Sequence, residues 1–119
     1  MTVAILGASN NPDRFAHKAM ELLLQKSHRV LLINPKLKKV NQLSVLEDLE
    51  QINETVDTLT MYVNAKVSSE LIDKIIKLKP KRIIFNPGAE NFEIESPLKN
   101  AGIIVVKDCT LVMLNSGKF

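Results

Sequence analysis

Five short apolar runs constrain the fold of this chain more than any other feature of its sequence. They occupy residues 2–6, 29–33, 58–63, 82–85 and 103–106. Most of them are continuously apolar, whereas a strand with one solvated face alternates apolar and polar residues. We therefore predict five parallel β-strands that are buried on both faces of a single sheet.

Amphipathic segments separate these runs. Residues 15–26 and 68–78 carry apolar side chains at helical spacing, and a third helix is expected to end before Gly102, starting or restarting at Ser96-Pro97. A short helix is expected near residues 46–52 and a last one over 110–114. This alternation predicts an α/β, Rossmann-like, doubly wound fold with helices on both faces of a five-stranded parallel sheet in the order 3-2-1-4-5.

Length and composition narrow the class of protein. A chain of 119 residues that is 45% hydrophobic forms one domain, residues 1–119, with a core that needs no disulfide. The net charge of +3 is too small for a dedicated nucleic-acid binder. Neither a membrane-spanning run nor a signal peptide is evident, and the single cysteine cannot form an internal disulfide. We expect a cytoplasmic protein with no membrane or nucleic-acid partner.

Three loops at the ends of predicted strands carry the distinctive chemistry. The turn from Gly7 to Arg14 leads from a strand into a helix, where free backbone N–H groups and the helix dipole attract phosphate. Loops 34–36 and 86–90 each begin with Asn-Pro directly after a strand. In the predicted order these loops meet where the sheet changes direction, which is where open α/β sheets bind ligands.

The residues in these loops limit the choice of ligand. A dinucleotide fingerprint needs glycine at three positions, and here they are Gly7, Ser9 and Pro12. The acid that would hold the ribose of NAD is replaced by Lys36, which favours an additional phosphate on the ribose. Arg14 can form paired hydrogen bonds with a phosphate from the first helical turn. A phosphorylated adenosine is therefore expected, as in NADP or coenzyme A.

The same residues resemble a known family, the small stand-alone CoA-binding domain proteins, which are similar to the N-terminal CoA-binding domain of the succinyl-CoA synthetase α subunit. The resemblance spans essentially the whole chain, although many relatives have Gln-Leu-Gly in place of residues 86–88 and a basic residue in place of Asp108. The motifs that carry it are Gly7-Ala8-Ser9 with Arg14, Asn34-Pro35-Lys36, residues 82–91, Ala101-Gly102 and Cys109-Thr110-Leu111.

This resemblance implies a Rossmann-like fold with CoA as the ligand. It implies that Gly7, Ala8, Ser9 and Arg14 face the phosphates. It also implies that Lys36, in the loop with Asn34 and Pro35, lies by the phosphorylated adenosine. Gly88 and Glu90, in the loop that Asn86 begins, would line the pantetheine arm.

Two further residues are candidates beside this ligand. Tyr62 either borders the adenine or caps a strand end with its hydroxyl in water. Cys109 lies at the start of the last predicted helix, close to where the pantetheine thiol is expected. It is either a small buried hydrophobe or the partner of CoA in a mixed disulfide.

Residues with the spacing of a catalytic or metal centre are missing from the sequence. His17 and His28 fall outside the three loops and are expected at the surface, and Asp13 is expected to cap the first helix. We therefore expect a protein that binds CoA or an acyl-CoA without being an enzyme, with any protein partner unknown. An NADP-dependent reductase or a component of a CoA-transferring enzyme is the first alternative. A protein-interaction module that has lost the ligand is the second.

Overall fold

The computed structural model describes all 119 residues and contains one seven-stranded sheet. The strand order is β3-β4-β2-β1-β5-β6-β7, and every neighbouring pair is parallel except β3 with β4. The strands are β1 (Thr2–Leu6), β2 (Arg29–Ile33), β3 (Lys39–Val40), β4 (Leu43–Leu46), β5 (Thr58–Met61), β6 (Arg82–Phe85) and β7 (Ile104–Lys107).

Both faces of this sheet are buried, as the apolar runs predict. Within β1, Val3 and Ile5 belong to one core cluster, whereas Ala4 and Leu6 belong to another. No helix combines the length and apolar character needed to cross a membrane. The helices are α1 (Phe15–Gln25), α2 (Ala65–Glu70), α3 (Ile72–Leu78), α4 (Phe92–Asn100) and α5 (Thr110–Asn115), with one turn of 3-10 helix at Leu49–Gln51.

The predicted strand order 3-2-1-4-5 is wrong, and so is the count of five strands. The third predicted strand, β5, pairs with β1 on the side away from β2, with Val3 opposite Thr58. The place beside β2 is taken by β4, with Ile33 opposite Leu46. The five predicted runs therefore stand in the order β2-β1-β5-β6-β7, and the sheet changes direction between β1 and β5.

The source of this error is the segment between β2 and residue 46, for which no strand was predicted. This segment forms the β3–β4 hairpin, whose two turn residues, Asn41 and Gln42, have φ of 48° and 71°. Two consecutive positive φ values are the geometry of a type I′ hairpin turn. The short helix expected near residues 46–52 follows as the 3-10 helix Leu49–Gln51, which starts with a capping box between Asp48 and Gln51.

Several predicted boundaries also shift. The expected helix 68–78 begins at Ala65, because the Asn64 side chain accepts a hydrogen bond from the Val67 N–H, and it divides into α2 and α3 at Leu71. Strand β5 ends at Met61, and β7 runs one residue later than expected. Helix α4 begins at Phe92 and contains Pro97 in its interior. Asp13 does not cap α1, because the N-cap of that helix is Arg14.

The close approach of β1 and β5 generates the first testable prediction. Gly7 has φ of +94°, and a Cβ there would stand 2.8 Å from the Tyr62 carbonyl oxygen. A Gly7→Ala substitution should cost about 1–2 kcal/mol for the backbone conformation and about 1–3 kcal/mol more for the collision. Gly117→Ala is the matched control, since φ there is +74° with nothing within 4 Å. Equal losses of stability in denaturant titrations of the two variants would contradict this account.

Candidate ligand-binding site

The loops after β1 and β2 are held together by backbone and side-chain hydrogen bonds. The N–H groups of Gly7 and Ala8 both donate to the Ile33 carbonyl, at 3.0 and 3.1 Å. The Asn34 side-chain amide donates to the Ala8 carbonyl at 2.8 Å, and its oxygen accepts from the Lys36 N–H at 2.7 Å. Asn34 thereby fixes the loop that carries Lys36 against the loop that begins at Gly7.

The loop between β1 and α1 presents unused hydrogen-bond donors. The Ser9 hydroxyl accepts from the Asn11 N–H at 3.1 Å, which closes the turn. Helix α1 has no acidic residue in its first turn, and exposed Arg14 immediately precedes it. Free donors at the positive end of a helix dipole, next to an arginine, form an environment suited to phosphate. The N–H groups that donate to no protein atom are those of Ser9, Asn10, Phe15 and Ala16.

Two cavities flank this loop, and they meet at Gly7 and Asn34. The larger, about 740 Å³, lies towards β4, the 3-10 helix and α2, and Pro35 and Lys36 line it. The smaller, about 430 Å³, lies beside the start of α1. Eight of the twelve predicted binding residues line one cavity or both: Gly7, Ala8, Ser9, Arg14, Asn34, Pro35, Lys36 and Tyr62.

The larger cavity has apolar walls and a charged rim. Its walls include Leu6, Ile33 and Val63, which can pack against a flat base. Its rim contains two lysines and three carboxylates: Lys36, Lys74, Glu47, Asp48 and Glu50.

Within that rim, one acid and one base neutralise each other. Lys74 Nζ lies 2.5 Å from Asp48 Oδ2, and this hydrogen bond holds the pKa of Asp48 below its ordinary value and raises that of Lys74. The remaining acids, Glu47 and Glu50, are not among the residues predicted from the sequence, because they follow β4, a strand that was not predicted either. The Asn41-Gln42 pair between two short apolar segments was the available signal for that hairpin.

The smaller cavity is bounded by Tyr62, the only tyrosine of a chain without tryptophan. Burial raises the pKa of Tyr62 to about 12, although hydrogen bonding from Thr110 and Thr60 acts in the opposite direction. Tyr62 therefore remains a neutral phenol at physiological pH, with its hydroxyl among other hydroxyl groups rather than fully in water.

The loop after β6 lies farther from the cavities than the predicted strand order implies. Because β5 separates β6 from β1, Asn86, Gly88 and Glu90 line neither cavity. The Ala89 N–H donates to the Asn86 carbonyl at 2.8 Å, and Gly88 has φ of +90°, which together indicate a type II turn. The Glu90 carboxylate closes this turn by accepting from the Gly88 N–H at 2.8 Å.

The side chain of Asn86 is buried, and its hydrogen bonds are made within the protein. Its amide donates to Thr60 Oγ1 at 2.7 Å and to the Met61 carbonyl at 2.9 Å. Its oxygen accepts from the Thr110 N–H at 2.9 Å. Both amide hydrogens are therefore used within the protein, and the Asn86 side chain joins β5, β6 and α5.

The remaining candidates differ in their surroundings. Cys109 is half-buried at the N-cap of α5, lines neither cavity, and its N–H donates to Asp108 Oδ1 at 2.7 Å. The expected surface position of His17 is wrong, since its side chain is buried against Ser9 and Glu21. His28 is half-buried near the amino terminus of Met1.

The environment of Tyr62 gives a prediction with a direct optical measurement. Phenolate absorbance should appear with an apparent pKa near 12, not near 10, because burial disfavours the charged form. The stability that comes from burying the neutral phenol is complete below pH 10 and is lost as the pH rises towards 12. Alkaline difference spectra, with circular dichroism to confirm that the protein is still folded, measure both. A titration centred near pH 10 in folded protein would contradict the burial of Tyr62.

Comparison with solved structures finds the same fold elsewhere. One structure, of an uncharacterised protein, is 39% identical with a TM-score of 0.94, covering 99% of this chain and 97% of that one. The cell-free ID.343 protein from Thermus thermophilus is 29% identical, with a TM-score of 0.91 over 99% of this chain and 90% of its own. The dinucleotide-forming acetyl-coenzyme A synthetase 1 of Ca. Korarchaeum cryptofilum shares the fold at 22% identity, with a TM-score of 0.74 over 90% of this chain and 25% of its own.

Comparison with protein families agrees with the resemblance carried by the sequence motifs. The model of the CoA binding domain matches residues 1–115, which include both cavities and every candidate residue named above. The chain therefore belongs to the CoA-binding domain family.

Proposed function

We propose that this protein binds coenzyme A, or an acyl-CoA, as a non-catalytic binding or regulatory protein. The observation that carries the proposal is the pair of cavities that meet at Gly7, on either side of a loop with free N–H groups. An elongated ligand with a flat base, a central diphosphate and a long arm matches such a divided site. Membership of the CoA-binding domain family supports the same ligand.

In this proposal, each part of CoA binds the part of the site whose chemistry matches it. The adenine fits the apolar walls of the larger cavity, where Lys36 is the unpaired lysine available to the ribose phosphate. The diphosphate fits the start of α1, beside Ser9 and Arg14. The pantetheine arm then passes through the smaller cavity along Tyr62. Glu47 and Glu50 remain available as acceptors for the adenine amino group or a ribose hydroxyl.

The absence of catalysis is part of the proposal. Arg14 and Tyr62 are the ionisable side chains in the lining of the smaller cavity. Arginine side chains stay protonated in proteins, and burial raises the pKa of Tyr62 to about 12. Neither can accept a proton readily near neutral pH, so this cavity lacks the general base that hydride or acyl transfer commonly employs.

One observation favours a dinucleotide as the second candidate. Glu47 and Glu50 lie in the larger cavity, where carboxylates can hold the ribose hydroxyls of NAD. An NAD site commonly has such a carboxylate at the end of the second strand, where this chain has Lys36. Glu47 and Glu50 supply carboxylates from the end of β4. An NADP-dependent reductase and a protein-interaction module without a ligand compete with these two functions, and a comparison of ligands distinguishes all four.

Thermal unfolding in the presence of ligands tests the proposal. CoA at roughly 100 times its dissociation constant should stabilise the fold by about 2.7 kcal/mol, which is a shift of several degrees for a domain of this size. NAD at the same concentration should shift the melting temperature less, and acetyl-CoA, NADP and ATP complete the series. A larger shift with NAD would support the NAD site, a larger shift with NADP would support the reductase, and no shift with any of them would support the interaction module.

A substitution of Lys36 tests the assignment of the adenosine phosphate. Lys36→Glu should weaken CoA binding by roughly 1.5–3 kcal/mol, the usual range for a hydrogen bond to a charged group. Dephospho-CoA, which lacks that phosphate, should lose much less affinity. Lys38→Glu is the matched control, because Lys38 lies in the same segment between β2 and β3 and lines neither cavity. If calorimetry shows that Lys36→Glu loses equal affinity for CoA and for dephospho-CoA, Lys36 contributes only general positive charge and does not bind that phosphate.

A further inference from the structure

The larger cavity contains a second lysine, and this lysine is held in an ion pair. Lys74 lies in α3, three residues after Leu71, and both residues line the cavity. Lys74 Nζ lies 2.5 Å from Asp48 Oδ2, whereas Lys36 forms no ion pair with a protein side chain. The pair therefore joins the start of the 3-10 helix to α3 at the rim of the cavity.

Asp48 is fixed by hydrogen bonds within its own segment. It is the N-cap of the 3-10 helix, and its side chain accepts a hydrogen bond from the Gln51 N–H in the capping box. The Gln51 side-chain oxygen accepts in turn from the Glu47 N–H at 2.7 Å. Lys74 is the more flexible partner, because a lysine ammonium group stands at the end of a long aliphatic stem. Asp48 therefore determines where the Lys74 ammonium group lies.

The exposure of this ion pair indicates that its contribution to folding is small. The side chains of Lys74 and Asp48 are 36% and 32% exposed. Ion pairs open to solvent add little stability, because water screens the attraction and both side chains lose conformational freedom. The Lys74 hydrogen bond nevertheless holds the pKa of Asp48 below its ordinary value, so that the carboxylate is charged at neutral pH.

The charges around the larger cavity make this pairing important for a phosphate. Two lysines and three carboxylates line the cavity, which gives it a net charge of −1 at neutral pH. A phosphate monoester brings roughly two more negative charges. With Lys74 bound to Asp48, only Lys36 is free to compensate them. Removing the charge of Asp48 would both release Lys74 and make the cavity neutral.

We propose that Asp48 is a specificity-determining residue of the larger cavity. By holding Lys74, it keeps a second lysine away from the ribose phosphate of CoA, so that Lys36 alone binds that phosphate. The identity of the ligand rests on the proposed function, whereas the ion pair belongs to the free protein. The preference of the site for CoA over dephospho-CoA is therefore smaller than two free lysines would give.

NMR titration of the carboxyl groups in the free protein tests the ion pair. The Asp48 carboxyl should titrate below the ordinary pKa of an aspartate. Lys74→Gln should raise this pKa, because the hydrogen bond from Lys74 is the largest cause of its shift. Lys77→Gln, which changes an exposed lysine of the same helix, is the matched control. An Asp48 pKa that is the same in Lys74→Gln and in the wild type would overturn the proposal.

Calorimetric titration of Asp48→Asn with CoA and dephospho-CoA tests the specificity. Asparagine caps helices as well as aspartate does, so the 3-10 helix should keep its start. Affinity for CoA should rise about tenfold, near the lower end of the range for a hydrogen bond to a charged group. Affinity for dephospho-CoA should change much less.

Two further variants separate the release of Lys74 from a general change of charge. Asp48→Asn combined with Lys74→Gln should return to the wild-type affinity for CoA, because it has the wild-type net charge and no second lysine. Asp73→Asn should also bind CoA as the wild type does, since it removes an exposed charge of α3 that lies outside the larger cavity.

Weaker binding of CoA by Asp48→Asn would overturn the proposal, because the ion pair would then serve to hold the cavity walls together. An equal gain for CoA and dephospho-CoA would also overturn it, since the released lysine would not bind the ribose phosphate. Both results leave CoA binding by the wild type standing. Failure of the wild-type protein to bind CoA would reject the proposed function and, with it, the role of Asp48 in specificity.

Discussion

The pairing of β1 with β5 is the constraint on which the rest of the site depends. It brings the Tyr62 carbonyl so close to Gly7 that no side chain fits there, since a Cβ would lie 2.8 Å from that oxygen. The two cavities meet at this residue, and the loop with free N–H groups begins there. Gly7 is therefore required by the packing of the sheet before any ligand is considered.

Around this point, polar side chains hold the loops in defined positions. Asn34 links the loops after β1 and β2, His17 contacts the Ser9 carbonyl, and Asn86 joins β5, β6 and α5. All three satisfy buried or half-buried backbone groups, which otherwise carry a large desolvation cost. Arg14 and Lys36 line the cavities, together with three of the residues that have free N–H groups: Ser9, Phe15 and Ala16.

The sequence predicts the strands better than their arrangement. Continuous apolar runs mark strands buried on both faces, and residues 2–6, 29–33 and 82–85 form strands with the predicted bounds. The order was wrong because the β3–β4 hairpin, with strands of only two and four residues, occupies the edge beside β2. Such short strands are mostly defined by their turn, and the Asn41-Gln42 turn is less distinctive than one with glycine.

The error in strand order explains most of the differences between the predicted site and the one in the structure. With β5 beside β1, the loop containing Gly88 and Glu90 moves one strand away from the cavities, and Tyr62 takes a central place. The acids after β4 could not be assigned to the site without that strand. His17 was misplaced because the helix pattern alone does not reveal that the Ser9 loop covers its ring.

The central claim is that one CoA molecule occupies both cavities across Gly7. The most direct measurement is amide NMR of the labelled protein titrated with CoA. The account predicts that the signals of Gly7, Ser9 and Lys36 change together at one saturating ligand per chain, with smaller changes at Gly88. Changes confined to residues outside both cavities, or no change at saturating CoA, would contradict it.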